Sequence, residues 1–334
     1  QPSRRDHMPK NINKITLVAD VGGTNTRIAL ARNGSIDSTS IKRYANREFD
    51  SLHAVIKQYC ETLSVDQITA SCVAIAGPVE NGTGRLTNLN WAMDQTGLKQ
   101  VTGAETVAII NDLQAQAYAL QDLPDSAFEK VLSSPAPHQE PLRHSTKLVI
   151  GVGTGCNAAL ALTDASGVRV PASETGHIGL PVRSQDDLDL ALYLQKQHGF
   201  ASVEHVLAGS GLETVYRYFA KTAGQAHNLS AQQIMAVMAT ESDPVARKTV
   251  QITVRLLAQL CADLALIHLP YGGIYLVGGV ARALAPYLQR YEFAAAFYAM
   301  GRFTQTMERF EIALVHDDYA ALTGCANALH GPRG

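Results

Sequence analysis

Three short polar clusters in this 334-residue sequence carry side chains suited to acid–base chemistry. The first is Asn111-Asp112, which follows the apolar run 106–110. A carboxylate at the end of a buried strand can receive a proton from a bound ligand, although either residue could equally cap the helix that follows. The second is Ser173-Glu174-Thr175-Gly176-His177. Glu174 and His177 stand three apart, which allows a metal pair, but no third ligand is apparent, and a surface loop would look the same. The third is Glu204, in Ser202-Val-Glu-His-Val-Leu-Ala-Gly-Ser-Gly, read as a first-turn acid favoured by a helix dipole with Ser202 as cap. Carboxylates and amides gathered in this way suit a polyhydroxy ligand, whose hydroxyls are hydrogen-bond donors.

Glycine turns between apolar runs would position such groups. Residues 17–30 read as strand, turn and strand, with Gly22 and Gly23 letting the backbone bend and lie close to a ligand. Thr24, Asn25 and Thr26 add short polar side chains beside exposed N–H groups, a concavity suited to phosphate. An ordinary hairpin needs only the Gly-Gly pair. The pattern recurs at 147–162, where Thr154 and Gly155 lie in the turn, and 274–280 places Gly278-Gly279 after a third apolar run. Three such turns favour a phosphate chain held from several sides. There is no GxxxxGK[ST] stretch, so the chain is not a P-loop protein. Gly151-Val-Gly-Thr-Gly-Cys lacks the last glycine of a dinucleotide fingerprint, and strand-like residues follow it where a helix should. Phosphate turns, a strand-end aspartate and further acids together point to phosphoryl transfer to a polyhydroxy acceptor, chemistry that depends mainly on positioning and charge stabilisation.

The remaining elements form an α/β scaffold. Spacing predicts a helix capped by Asp50 with Leu52, Val55, Ile56, Tyr59 and Leu63 on one face, strands at 71–76 and 106–110, and helices near 113–120, 186–197 and 212–223. Residues 133–145 hold three prolines and read as a loop. The apolar segment 249–269 is long enough to raise the question of a membrane span, but Gln251, Arg255, Gln259 and Asp263 form a polar stripe expected of a buried helix. The length suggests two domains. A net charge of −2 argues against nucleic acid or an anionic membrane as partner. Five scattered cysteines without a CxxC pair read as buried thiols in a reducing compartment.

The motifs in register, Asp20-Val-Gly-Gly-Thr-Asn, Ala76-Gly-Pro, Leu86-Thr-Asn-x-x-Trp91, Ile110-Asn-Asp, Gly151-x-Gly-Thr-Gly, Glu174-x-Gly-His177, Val203-Glu-x-Val-Leu-x-Gly and Val277-Gly-Gly-Val, resemble the bacterial glucokinases of the actin-like sugar kinase superfamily. The resemblance implies a two-domain actin-like (ribonuclease H-like) ATPase fold with an inter-domain cleft. A tail at 1–10 would precede a small α/β domain of 11–110 plus 316–334, with a large α/β domain of 111–315. It implies ATP-dependent phosphorylation of glucose at the 6-hydroxyl with Asp112 as base. Asn88, Asn111, Glu174, His177 and Glu204 would hold the sugar. Asp20 would lie near Mg2+, through water. Gly22, Gly23, Thr24, Asn25, Thr154, Gly155, Gly278 and Gly279 would contact the nucleotide. A cytoplasmic homodimer is also implied. At an ordinary aspartate pKa of about 3.9, Asp112 is expected to be ionised. Cys156-Asn157 departs from the family's usual Leu-Gly, Thr175 from a common glycine, Leu113 from Phe and Ser210 from Pro. A related family with a cysteine-rich zinc cluster matches less well, because that cluster is missing from this sequence. A kinase for mannose or N-acetylglucosamine, or a non-catalytic actin-like nucleotide- or sugar-binding protein, are the alternatives.

Overall fold

The computed structural model describes residues 14–63, 67–86, 89–135, 145–225 and 227–329. The chain divides into two compact units: the stretch up to Ala115 joins the helix residues from Ala321, and Gln116–Ala320 forms the other.

The first unit is built on a sheet in the order Ser35–Ile36, Asn25–Arg32, Ile15–Val21, Ala70–Ile75, Thr106–Asn111, with Lys42–Ala45 also paired to Asn25–Arg32. Ile15–Val21, Ala70–Ile75 and Thr106–Asn111 run parallel, with Asp20 opposite Ala74 and Ile75 opposite Asn111. That register brings the C-terminal ends of all three strands, and hence Asp20 and Asn111-Asp112, to one edge. Helix Leu52–Leu63 covers one face, burying Leu52, Val55, Ile56 and Tyr59 against Leu17, Ile28 and Val73. Ser51, rather than the expected Asp50, accepts the Ala54 N–H at its start, because the helix begins one residue later than an Asp50 cap requires. The other face is lined by small residues, Val18, Ala29, Cys72 and Ala74, against which Ala321, Leu322 and Cys325 pack. Close approach is needed there: a Cβ on Gly324 would lie 1.7 Å from the Ala115 carbonyl oxygen.

The second unit has a mixed sheet in the order Phe128–Leu132, Ile312–Val315, Ile274–Val277, Lys147–Val152, Cys156–Asp164, Gly167–Arg169. Its core helix, Pro244–His268, starts before the expected position because Asp243 caps it, accepting the Val245 and Ala246 N–H groups, with Pro244 in the first turn. This helix has the length and apolarity of a membrane span, yet most of it is buried in the unit's core. Its polar stripe is used: Arg255 pairs with buried Asp187, and Asp263 pairs with Arg183. Helix Ala231–Thr240 and strands Phe128–Leu132 and Ile312–Val315 were not anticipated from the sequence.

Candidate active site

In the first unit, the Gly22 N–H donates to the Asn25 carbonyl at 3.0 Å and closes the turn. The turn is braced from outside by Asn46, a residue the sequence reading missed. Asn46 is 2% exposed. Its Nδ2 donates to the Gly22 carbonyl at 2.7 Å, its Oδ1 accepts the Thr26 hydroxyl at 2.8 Å, and its N–H donates to the Thr24 carbonyl at 2.9 Å. Asn46 follows a strand paired to Asn25–Arg32, and an isolated Asn outside any motif carries no sequence signal for that contact.

The capping role left open above falls to Asn111. Asn111 caps helix Asp112–Ala119: its Oδ1 accepts the Leu113 N–H at 2.9 Å, and the Gln114 side chain accepts the Asn111 N–H at 3.0 Å in return. Asn111 Nδ2 donates to the Gly77 carbonyl at 3.0 Å. One N–H and one lone pair of this carboxamide are thereby used by the fold, and the second of each is left. Asp112, next in line, accepts the same Leu113 N–H at 2.9 Å. Burial, then the nearby Asp20 charge, raises its carboxyl to about 7, against the weaker pull of the Leu113 N–H. The expectation of an ordinary, fully ionised aspartate is therefore corrected: protein crowds the carboxyl, and a second acid stands beside it. Asp20 is itself raised by burial, opposed by Arg27 at 3.7 Å.

In the second unit, the turn between Lys147–Val152 and Cys156–Asp164 leaves Thr154 and Gly155 exposed. The Gly153 N–H donates to the Gly155 carbonyl and the Gly209 N–H to the Gly153 carbonyl, both at 2.9 Å. Glu204 Oε2 accepts the Cys156 N–H at 2.8 Å and lies so close to the turn that a Cβ on Gly155 would be 2.7 Å from it. Ser202 caps the turn that holds Glu204, as expected, but Val203–His205 is a single 3-10 turn, too short to carry a macrodipole, and the next helix begins at Gly209. Gly278 has φ +104°, and a Cβ there would meet the Val152 carbonyl at 2.4 Å, so the position excludes a side chain. Gly279 opens helix Gly279–Leu288 with free space around it, and its N–H lies near Gly153. Glu174 and His177 are about two-thirds exposed, with Oε2 and Nε2 3.8 Å apart. Among the described residues no group of His, Cys, Asp and Glu could hold a metal between three or more side chains.

The first unit thus gathers Asp20, the 22–25 turn, Asn111 and Asp112, and the second gathers the 153–155 turn, Gly278, Gly279 and Glu204, with Glu174 and His177 on an adjoining loop. Asn88 lies outside the described residues.

Residues 17–331 match the family model described as Glucokinase. A glucokinase of Marinobacter nauticus is 30% identical over 315 residues, which cover 94% of this chain and 97% of the relative. The crystal structure of a glucokinase from an Antarctic psychrotroph superposes with a TM-score of 0.83 at 30% identity, covering 95% of this chain and 99% of that one. The glucokinase of Balamuthia mandrillaris, solved in complex with glucose, shares the fold with a TM-score of 0.79 at 20% identity, covering 97% and 96%.

Proposed function

Because the chain belongs to the glucokinase family, we propose that it transfers the terminal phosphoryl group of ATP to the 6-hydroxyl of D-glucose, with Asp112 receiving the hydroxyl proton. By that membership it is a hexose kinase with the actin-like fold. The observation that carries the assignment of the base is Asp112 itself, directly after the parallel edge strand Thr106–Asn111, with its carboxyl raised to about 7. A base whose pKa lies near the working pH is available in its ionised form and still holds a proton well once it has taken one.

The other roles follow from which polar groups the fold leaves unused. Glu204 spends one oxygen on the Cys156 N–H and keeps the other for a sugar hydroxyl. Asn111 keeps one N–H and one lone pair. Glu174 and His177 are open to a ligand. Gly22, Gly23, Thr24 and Asn25 in one unit, and Thr154, Gly155, Gly278 and Gly279 in the other, would line the nucleotide's place with turn backbone, the Gly22 N–H being spent inside its own turn and Gly279 bringing a helix N-terminus. The donor chemistry of the first unit fits magnesium: Asp20 is a hard oxygen donor with a fifth of its side chain open. Asp20 would hold the ion through water, and the ion when bound would neutralise charge on the phosphate oxygens. The same reading extends to a cytoplasmic homodimer, supported by family resemblance and by five free cysteines; sedimentation measures the assembly.

A coupled assay with ATP, magnesium and a hexose panel tests the proposal. Glucose should give glucose 6-phosphate with the highest kcat/KM. A higher value for mannose or N-acetylglucosamine would reassign the acceptor, and ATP hydrolysis without any sugar phosphate would overturn the reading.

A further inference from the structure

The Glu174 loop is held by one side chain, Asn157, that no motif above includes. Asn157 is the second residue of strand Cys156–Asp164. Its Nδ2 donates to the Ser173 carbonyl at 2.7 Å, and its Oδ1 accepts the Thr175 N–H at 2.9 Å. One carboxamide therefore ties down the peptide groups on both sides of Glu174, much as a neighbouring strand would. Oδ1 also accepts the Ala158 N–H at 2.8 Å, which anchors the carboxamide to its own strand. The loop is held close: Thr175 and Gly176 are buried, and a Cβ on Gly176 would lie 1.9 Å from the Cys156 carbonyl oxygen. The Ser173 and Thr175 hydroxyls bond to each other at 2.7 Å. With its flanking backbone bound to the strand, the Glu174 side chain points outward and keeps most of its surface open.

The preceding residue does the matching job for the other acid, since the Cys156 N–H binds Glu204 Oε2. Two successive residues of one strand thus register both carboxylates, one through a backbone N–H and one through a side chain. We propose that Asn157 is a positioning residue for the sugar site, its carboxamide setting where Glu174 stands relative to Glu204. This rests on the reading of Glu174 as a sugar contact, which the test addresses separately.

A near-isosteric change isolates the effect. In Asn157→Asp the acceptor for the Thr175 N–H remains, but the donor to the Ser173 carbonyl is replaced by an ionised oxygen, and two acceptors then face each other. Glucose binding measured by calorimetry should weaken roughly tenfold at pH 7.5, in line with the loss of one buried hydrogen bond. KM for ATP and kcat should stay within about threefold, as expected of a residue that acts on sugar binding alone. Asn157→Ser, which carries no charge and is too short to span both peptides, should show the same split if the Asp variant folds poorly. In the double variant with Glu174→Gln, the serine substitution should weaken glucose binding by less than it does alone. Unchanged glucose affinity in Asn157→Ser, equal losses for glucose and ATP, or strict additivity with Glu174→Gln would each overturn the proposal while leaving Glu174 as a sugar contact. Unchanged affinity in Glu174→Gln would remove the underlying reading and the proposal with it.

Discussion

In the hairpin formed by Ile15–Val21 and Asn25–Arg32, an uncharged side chain, Asn46, holds the glycine turn, and the acids Asp20 and Asp112 stand at the ends of two strands that flank Ala70–Ile75. In the hairpin formed by Lys147–Val152 and Cys156–Asp164, a carboxylate, Glu204, holds the turn. The sequence pattern is the same, apolar run, glycine turn, apolar run, but the support differs in kind. In the first unit, support and acid chemistry belong to separate residues, so each can be removed without the other. In the second they meet in one side chain, and a change at Glu204 disturbs the turn unless the replacement still accepts the Cys156 N–H.

The largest effect is expected at Asp112, the proposed base, which gives no support to the turn. Asp112→Asn should lower kcat by roughly 10²- to 10⁴-fold, the usual range for a lost general base. In the wild type, kcat/KM should rise as pH increases through about 7, where Asp112 ionises. Stability should move the other way. The folded carboxyl is raised from its ordinary 3.8 to about 7, so between those values the folded chain keeps a proton that the unfolded chain has released. Stability is lost as pH rises through that window, and above it the ionised form bears the whole burial penalty. Asn removes the penalty, so denaturant titration should find Asp112→Asn more stable by on the order of 1–3 kcal/mol at pH 8, and by less at pH 5. A variant that is inactive but destabilised at pH 8 would show that Asp112 also supports the fold.

The supports come next. Asn46→Ala strands the half-buried Gly22 carbonyl and the buried Thr26 hydroxyl, and should destabilise the chain by about 2–4 kcal/mol and raise KM for ATP, with KM for glucose little changed. Glu204→Gln retains an oxygen for the Cys156 N–H and should raise KM for glucose several-fold at nearly unchanged Tm. Glu204→Ala should raise both KM values and lower Tm. If Glu204→Gln lowered Tm as much as Glu204→Ala, the charge itself would be the support, and the contrast between the hairpins would be sharper than drawn here.

This contrast was only half legible in the sequence. Both hairpins could be read from their apolar runs and glycines, because strand and turn signals are local. Asn111-Asp112 could be placed at a strand end for the same reason. Asn46 and Asn157 could not be recognised as supports: each bonds to backbone groups 16 to 24 residues away, and no periodicity records such a contact. The raised carboxyl of Asp112 arises from burial and from Asp20, which the sheet register brings near and sequence distance hides. The Ser230–Gln233 capping box before helix Ala231–Thr240 was a readable local signal that went unread.

The smallest expected effect concerns the segment that presents Glu204. His205 Nδ1 accepts the Ser202 N–H at 3.1 Å and lies 3.1 Å from the Ser202 hydroxyl, which requires that nitrogen to be unprotonated. The ring stacks on His198 at 4.1 Å, with Glu204 and His177 as the other charged neighbours. Burial, then His198, lowers the His205 pKa below its ordinary 6.5, against an opposing pull from Glu204. The unfolded chain therefore takes up this proton first as pH falls, and the stability that the neutral ring contributes above 6.5 is lost on going below it. His205→Asn offers an acceptor to the Ser202 N–H that does not titrate. Between pH 7.5 and 5.5 the wild type should lose more stability than His205→Asn in urea titrations, by less than about 1 kcal/mol because the ring is partly exposed. Parallel losses in the two proteins would mean that His205 does not sense pH in the folded chain.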